Sequence, residues 1–124
     1  MFKFITSNDD KIRAAKERLS PYGITFEPYA IDLIEPQATD VMEIALAKAE
    51  QAFQELKEPV VVSDHGWSIP ALNGFPGPYM KYINQWFTSK DLLNLMRDKQ
   101  NKRIVKTEAL VYRDQKEIKK FTSE

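Results

Sequence analysis

The sequence predicts a mixed α/β fold: a twisted β-sheet flanked by helices, in a single domain over residues 1–124. Three observations carry that expectation. An opening β-forming segment leads at once into a capped helix. A second helix with a broad apolar stripe leads into the unbroken run Val60-Val61-Val62. The last part of the chain alternates apolar and polar residues over two segments separated by a turn. With 124 residues, such a domain buries roughly two-thirds of the surface its unfolded chain exposes.

Phe2, Phe4 and Ile5 give the first strand. Thr6-Ser7-Asn8 leads into a helix from Asp9 to Leu19, with Ser7 or Asn8 as its cap and Ile12, Ala15 and Leu19 on one face. Pro21-Tyr22-Gly23 ends it. Ile24 to Tyr29 is rich in β-formers and predicts a second strand. Asp40 with Glu43 has the spacing of a capping box. The helix that follows carries Val41, Ile44, Ala45, Ala49, Ala52, Phe53 and Leu56 along one stripe. Ser89 to Met96 predicts a short helix with Leu92, Leu93 and Met96 on one face. Arg103 to Arg113 predicts a long strand with Val105, Thr107, Ala109 and Val111 on one side. Asp114-Gln115-Lys116 predicts a turn, and Glu117 to Thr122 the returning strand of a hairpin.

Composition sets outer bounds. Lys plus Arg and Asp plus Glu both number 18, so the formal net charge is zero. Nothing in that balance marks a general polyanion binder, and no nucleic-acid partner is expected. The chain has no cysteine, which rules out a disulfide framework and a thiolate metal site. No apolar run approaches a membrane span, and Met1 to Ile5 is too short for a secretion core. A soluble cytoplasmic protein without a membrane partner is the expectation.

Residues 60–83 are the most informative stretch. The apolar run is expected to stop at Asp64, which would place a carboxylate where a strand gives way to a loop. Gly66, Gly74 and Gly77 permit unusual φ and close backbone approach, and Pro70, Pro76 and Pro78 fix φ. A shaped loop after an acid is a site candidate, and is also what a rigid connection looks like. Lys48 is the second anomaly. It falls inside the apolar stripe of its helix, where a lysine must reach solvent along its stem or meet an anion. The junction before Asp9 offers free backbone N–H groups that suit a phosphate, with Lys11 one turn in.

Ala71-Leu72-Asn73-Gly74-Phe75-Pro76-Gly77-Pro78-Tyr79, followed by Lys81, closely resembles the signature of the inosine/xanthosine triphosphate pyrophosphatase family. Thr6-x-Asn8-x-x-Lys11 resembles the opening phosphate-binding motif of that family. Asp32-Leu33-x-Glu35-x-Gln37 resembles its Asp-Leu-x-Glu-x-Gln segment, and Ile44-Ala45-x-x-Lys48-Ala49 its lysine-bearing helix. The resemblance implies Mg²⁺-dependent hydrolysis of non-standard purine nucleoside triphosphates to the monophosphate and pyrophosphate. It implies that Thr6, Asn8, Lys11, Lys48 and Lys81 bind the substrate. It further implies that Glu35 and Asp64 hold the metal, with Asp64 catalytic. On residue type alone, Glu35 is an acid in a Pro-containing loop, and such acids are mostly solvated.

Several positions depart from that pattern. Ala14 stands where the family has a glutamate. Asp9 and Asp10, inside the phosphate motif, complement a helix dipole or repel a phosphate. The acid pair Glu-Asp is here Ser63-Asp64, so Glu35 and Asp64 make a minimal magnesium site with one carboxylate fewer. His65 replaces a small hydroxyl residue and is expected to be structural. Trp67, Trp86 and Phe87 are expected in the core or an interface.

The chain matches roughly the N-terminal two-thirds of the family pattern. The Gly-Tyr-Asp-Pro-Phe and Ser-His-Arg segments that follow in the family lie beyond it. The resemblance therefore implies a C-terminally short relative, which is either an active pyrophosphatase or an inactive nucleotide-binding or protein-interaction relative. An open sheet edge at the C-terminal hairpin, Arg103 to Thr122, predicts a homodimer.

Overall fold

The computed structural model describes residues 1–124. Strands β1 (Phe2–Ile5), β2 (Phe26–Tyr29), β3 (Val60–Ser68), β4 (Pro76–Gly77), β5 (Val105–Arg113) and β6 (Ile118–Ser123) form one mixed sheet. Helices are α1 (Asp9–Leu19), α2 (Val41–Leu56), α3 (Met80–Trp86) and α4 (Ser89–Leu95). The strand order is β2-β1-β3-β5-β6, with β4 paired to the far end of β3. β2, β1 and β3 run parallel, while β4, β5 and β6 join antiparallel. No helix is long and apolar enough to cross a membrane.

The core lies between α2 and one face of the sheet. Ala45, Ala49 and Ala52 are at most 1% exposed, so the helix backbone comes close to Val60, Val62, Ala109 and Val111. Small residues on the helix and β-branched residues on the strands make that close packing possible. Each fully buried valine contributes about 1.5–3 kcal/mol over an exposed one. The opposite face is only partly covered. Ile12, Ala15 and Leu19 of α1 are half-buried on it. Beside them a groove of about 580 Å³ is lined by Phe2, Phe4, Leu110, Tyr112 and Phe121.

Local signals explain most element ends. Asn8 caps α1, its Oδ1 accepting from the Asp10 and Lys11 N–H groups at 2.9 and 3.3 Å. A 3₁₀ turn over Ser20–Tyr22 and Gly23 at φ 68° close that helix. Asp40 caps α2, but it accepts from the Met42 N–H; the expected box with Glu43 gives way to a single bond one residue earlier. The box forms instead at α4, where Thr88 and Asp91 exchange bonds. Asp114 makes the predicted turn by accepting from the Lys116 and Glu117 N–H groups, both at 2.8 Å.

The expected end of β3 is corrected. β3 does not stop at Asp64. It runs on to Ser68, because β5 supplies a partner along the whole of Val60–Ser68, and a ladder sustains a strand past the end of its apolar run. The shaped loop therefore begins after Ile69. It comprises a 3₁₀ turn over Pro70–Leu72, Gly74 at φ 94°, a cis Phe75-Pro76 bond and Gly77 at φ 58°. Of the core or interface expected for Trp86, the core is excluded: it is 69% exposed, its ring tilted by 30° against that of Tyr82 in its own helix. His65 is exposed as well, on the sheet face that carries α1.

Candidate functional site

The pairing of β3 leaves a gap. On its β1 side, β3 is paired up to Val61 by Phe4, and again from Trp67 by Gly77. Residues 62–66 have no strand on that edge. The gap opens beyond the carboxyl ends of the parallel strands β1 and β2, where open α/β sheets bind ligands. A cleft of about 500 Å³ occupies it, lined by Thr6, Lys11, Asp32, Glu35, Lys48, Ser63 and Lys81 among others.

Each element delivers its side chain for a local reason. The cap at Asn8 starts α1 so that Lys11 points back over the gap, and its Nζ donates to the Ser63 carbonyl at 3.0 Å. That bond satisfies a backbone acceptor the missing strand would have taken. Alternation along β3 puts Asp64 on the same face as Val60 and Val62, toward α2, with small Ala109 as its register partner. Lys48 continues the Ile44-Ala45 face of α2 and arrives above Asp64. Gly66, two residues on, is required by close packing: a Cβ there would lie 2.9 Å from Val41 Cγ2 and 3.1 Å from the Gly77 backbone.

Glu35 comes from the loop before α2. That loop is held by Gln51, whose Oε1 accepts from the Ile34 N–H at 2.8 Å and whose Nε2 donates to the Ile34 carbonyl at 2.7 Å. The clamp brings the Glu35 carboxylate to Lys48. Lys48 thereby meets anions rather than snorkelling to solvent. Its Nζ is 3.2 Å from Glu35 Oε1 and 3.0 Å from Asp64 Oδ2. Its hydrogen bond to Asp64 goes to Oδ1 at 3.3 Å, and Oδ2 is buried without accepting any hydrogen bond. Lys48 and Asp64 are 15% and 19% exposed, Glu35 56%.

The pKa of Lys11 is displaced. Burial pushes it below the usual lysine value; the Asp64 charge opposes that and Lys48 adds to it. His65 is also held low, by partial desolvation first and then by the Lys11 and Lys106 charges.

The structure thus brings Thr6, Lys11, Glu35, Lys48 and Lys81 to one cleft; Asp64 is not among its lining residues and reaches it through its contact with Lys48. Asn8 lines a neighbouring groove with Asp64 and His65, on the other side of Lys11. Its carbonyl is engaged in the cap and Thr6 Oγ1 accepts from its N–H. Asp10 pairs with Arg13 and, like Asp9, does not line the cleft. Sequence reasoning missed Gln51, a polar residue on the helix carrying the apolar stripe, whose partner is a backbone 17 positions away.

The acids nearest Lys48 are two carboxylates, Glu35 and Asp64; Asp32 lines the same cleft, but no three acids, histidines or cysteines gather closely enough to hold a metal by themselves. Mg²⁺ is commonly held through one or two carboxylates plus substrate phosphates. Glu35 and Asp64, whose buried Oδ2 accepts no hydrogen bond and faces only the Lys48 ammonium, fit that ion in kind and number. Three ammonium groups around the same cleft suit a polyphosphate.

Residues 2–124 match the sequence profile described as Ham1 family. The chain is 38% identical over 100 residues to the dITP/XTP pyrophosphatase of Methanopyrus kandleri, covering 81% of this chain and 53% of that protein. It is 39% identical over 80 residues to the inosine triphosphate pyrophosphatase of Yarrowia lipolytica, covering 64% of this chain and 42% of that protein. The chain thus spans about half the length of these relatives. The structure of a HAM1 protein from Coxiella burnetii shares the fold, with a TM-score of 0.80 over 98% of this chain and 70% of that one, at 18% identity.

Proposed function

This chain belongs to the Ham1 family, and we propose that it hydrolyses non-standard purine nucleoside triphosphates, ITP, dITP and XTP, to the monophosphate and pyrophosphate. The observation that carries this reading is the single cleft in which Lys11, Lys48 and Lys81 converge with Glu35, and Asp64 contacts Lys48. An acid pair with three lysines is suited to a polyphosphate and its counter-ion, and little else of this size needs both. The names of the relatives support the choice of base.

In this reading the triphosphate lies across the N-terminus of α1. Lys11 and Lys81 neutralise its oxygens, and Thr6, at the turn into the helix, donates its hydroxyl. Glu35, next to the Ile34 backbone that Gln51 clamps, and Asp64, fixed in the β3–β5 ladder, would hold Mg²⁺, which neutralises phosphate charge and makes water a better nucleophile. Asp64 also orients the attack: its carboxylate is rigid, desolvated and next to the cleft. Water adds at the α-phosphorus, the α–β bridge bond breaks, and pyrophosphate leaves with its charge balanced by the lysines. Release of pyrophosphate from a panel of triphosphates, with and without Mg²⁺, tests the reading. Turnover of ITP, dITP or XTP only with Mg²⁺ is expected.

A cytoplasmic homodimer goes with this proposal. β6 is the sheet edge, and all six of its residues are exposed. Phe121 is 55% exposed at the rim of the apolar groove beside α1. Light scattering at micromolar concentration is expected to give twice the monomer mass, and Phe121→Glu to lower it. A monomer that persists on concentration contradicts the dimer.

A further inference from the structure

We infer that Lys48 is a built-in counter-ion whose ammonium must leave the Glu35–Asp64 pair before a divalent cation can bind there, so that phosphate and metal load cooperatively. The inference rests on the reading of the cleft as a metal–triphosphate site and goes one step further, to the order of events in it.

The argument starts from distances. Lys48 Nζ lies within 3.0–3.3 Å of Glu35 Oε1 and of both Asp64 oxygens. A magnesium ion ligated by these two carboxylates sits about 2.1 Å from its oxygens. It would fall on or beside the ammonium, and two cations cannot share that volume. The side chain is enclosed too, at 15% exposure, so repulsion between them would be weakly screened. Lys48 therefore competes with the metal for one pair of ligands.

Lysine has a long, flexible stem, so the ammonium can swing off the acids without moving α2. The cleft gives it somewhere to go: Lys48 lines it together with Lys11 and Lys81. A polyphosphate bound there would draw the ammonium away from Glu35 and Asp64 and expose both carboxylates. The ion then enters against phosphate oxygens as well as protein ones. Without phosphate, a lone divalent cation must displace a charge already paired at 3.0 Å. The arrangement keeps one ammonium shared between two acids until the substrate arrives.

The test measures Mn²⁺ binding to the intact chain by electron paramagnetic resonance, with and without inorganic triphosphate. In the wild type, Mn²⁺ alone is expected to bind weakly and triphosphate to tighten it. Lys48→Met should bind Mn²⁺ alone on the order of tenfold or more tightly, and triphosphate should tighten it by a smaller factor than in the wild type. Lys48→Gln, which keeps a polar head, serves if Lys48→Met does not fold, and circular dichroism decides which is used. The gain must vanish when Glu35→Gln is added. Wild-type Mn²⁺ binding that tightens with triphosphate, together with unchanged or weaker binding in both Lys48 variants, overturns this inference and leaves the proposed function standing. No Mn²⁺ binding in any protein, even with triphosphate, overturns both.

Discussion

Gln51 binds Ile34 through both halves of its side-chain amide, accepting from the backbone N–H at 2.8 Å and donating to the carbonyl at 2.7 Å. The pair imitates one rung of a β-ladder between a helix side chain and a loop. It fixes the backbone one residue before Glu35, the loop acid that pairs with Lys48. Gln51 is thus a positioning residue for Glu35.

Gln51→Ala is expected to loosen that loop while leaving the core intact. Both bonds are at the surface, so the loss of stability should stay within about 1.5 kcal/mol per bond. The Mg²⁺ concentration needed for half-maximal turnover should rise on the order of tenfold, the usual effect of removing a group that orients a metal ligand. Titration of activity with Mg²⁺ reads this; an unchanged Mg²⁺ requirement contradicts the positioning role.

Asp64→Asn keeps the shape of the side chain and a carbonyl for Lys48 to donate to, and removes the charge. Turnover is expected to fall by about a hundredfold or more, close to 2.7 kcal/mol of transition-state stabilisation. The melting temperature should change little, because Lys48 keeps Glu35 at 3.2 Å. A variant that melts early but keeps full specific activity in its folded fraction would make Asp64 a structural residue.

Lys11 sets a pH dependence. Its pKa lies below the usual lysine value of about 10.4, chiefly through burial, so it loses its proton at a lower pH than a free lysine does. Affinity for inorganic triphosphate should therefore begin to fall, as pH rises, before a free lysine would lose its proton. The effect on stability has the opposite sign. Between the folded and unfolded pKa the unfolded chain holds more protons, so this group's contribution to stability increases with pH. Lys11→Arg, which stays charged, should remove the early fall in affinity. A wild-type affinity that is flat until the ordinary lysine range contradicts the assignment.

What was legible in the sequence was what local chemistry determines. Asn8 could be read as a cap because its partners are two and three residues away. The α2 stripe could be read from its period, and Lys48 stood out because it broke that stripe. The end of β3 was misread because the ladder that extends it comes from β5, whose Ala109 opposes Asp64. No periodicity in residues 60–68 reports that partner. α3 went unread because it starts directly after the Gly/Pro loop with no side-chain cap at Tyr79. Gln51 was invisible for a related reason: an amide's partner on a distant backbone leaves no mark in composition or spacing. The resemblance named the site acids and lysines, while the gap in the β3 edge that gathers them is visible only in the fold.

The most direct measurement is the identity and stoichiometry of the products formed from ITP and dITP with Mg²⁺. One inosine monophosphate or deoxyinosine monophosphate per pyrophosphate, with no free orthophosphate and no reaction without metal, is the result expected from water attacking the α-phosphorus in the Lys11–Lys48–Lys81 cleft. Nucleoside diphosphate with orthophosphate, or no product even at high protein concentration, would contradict it.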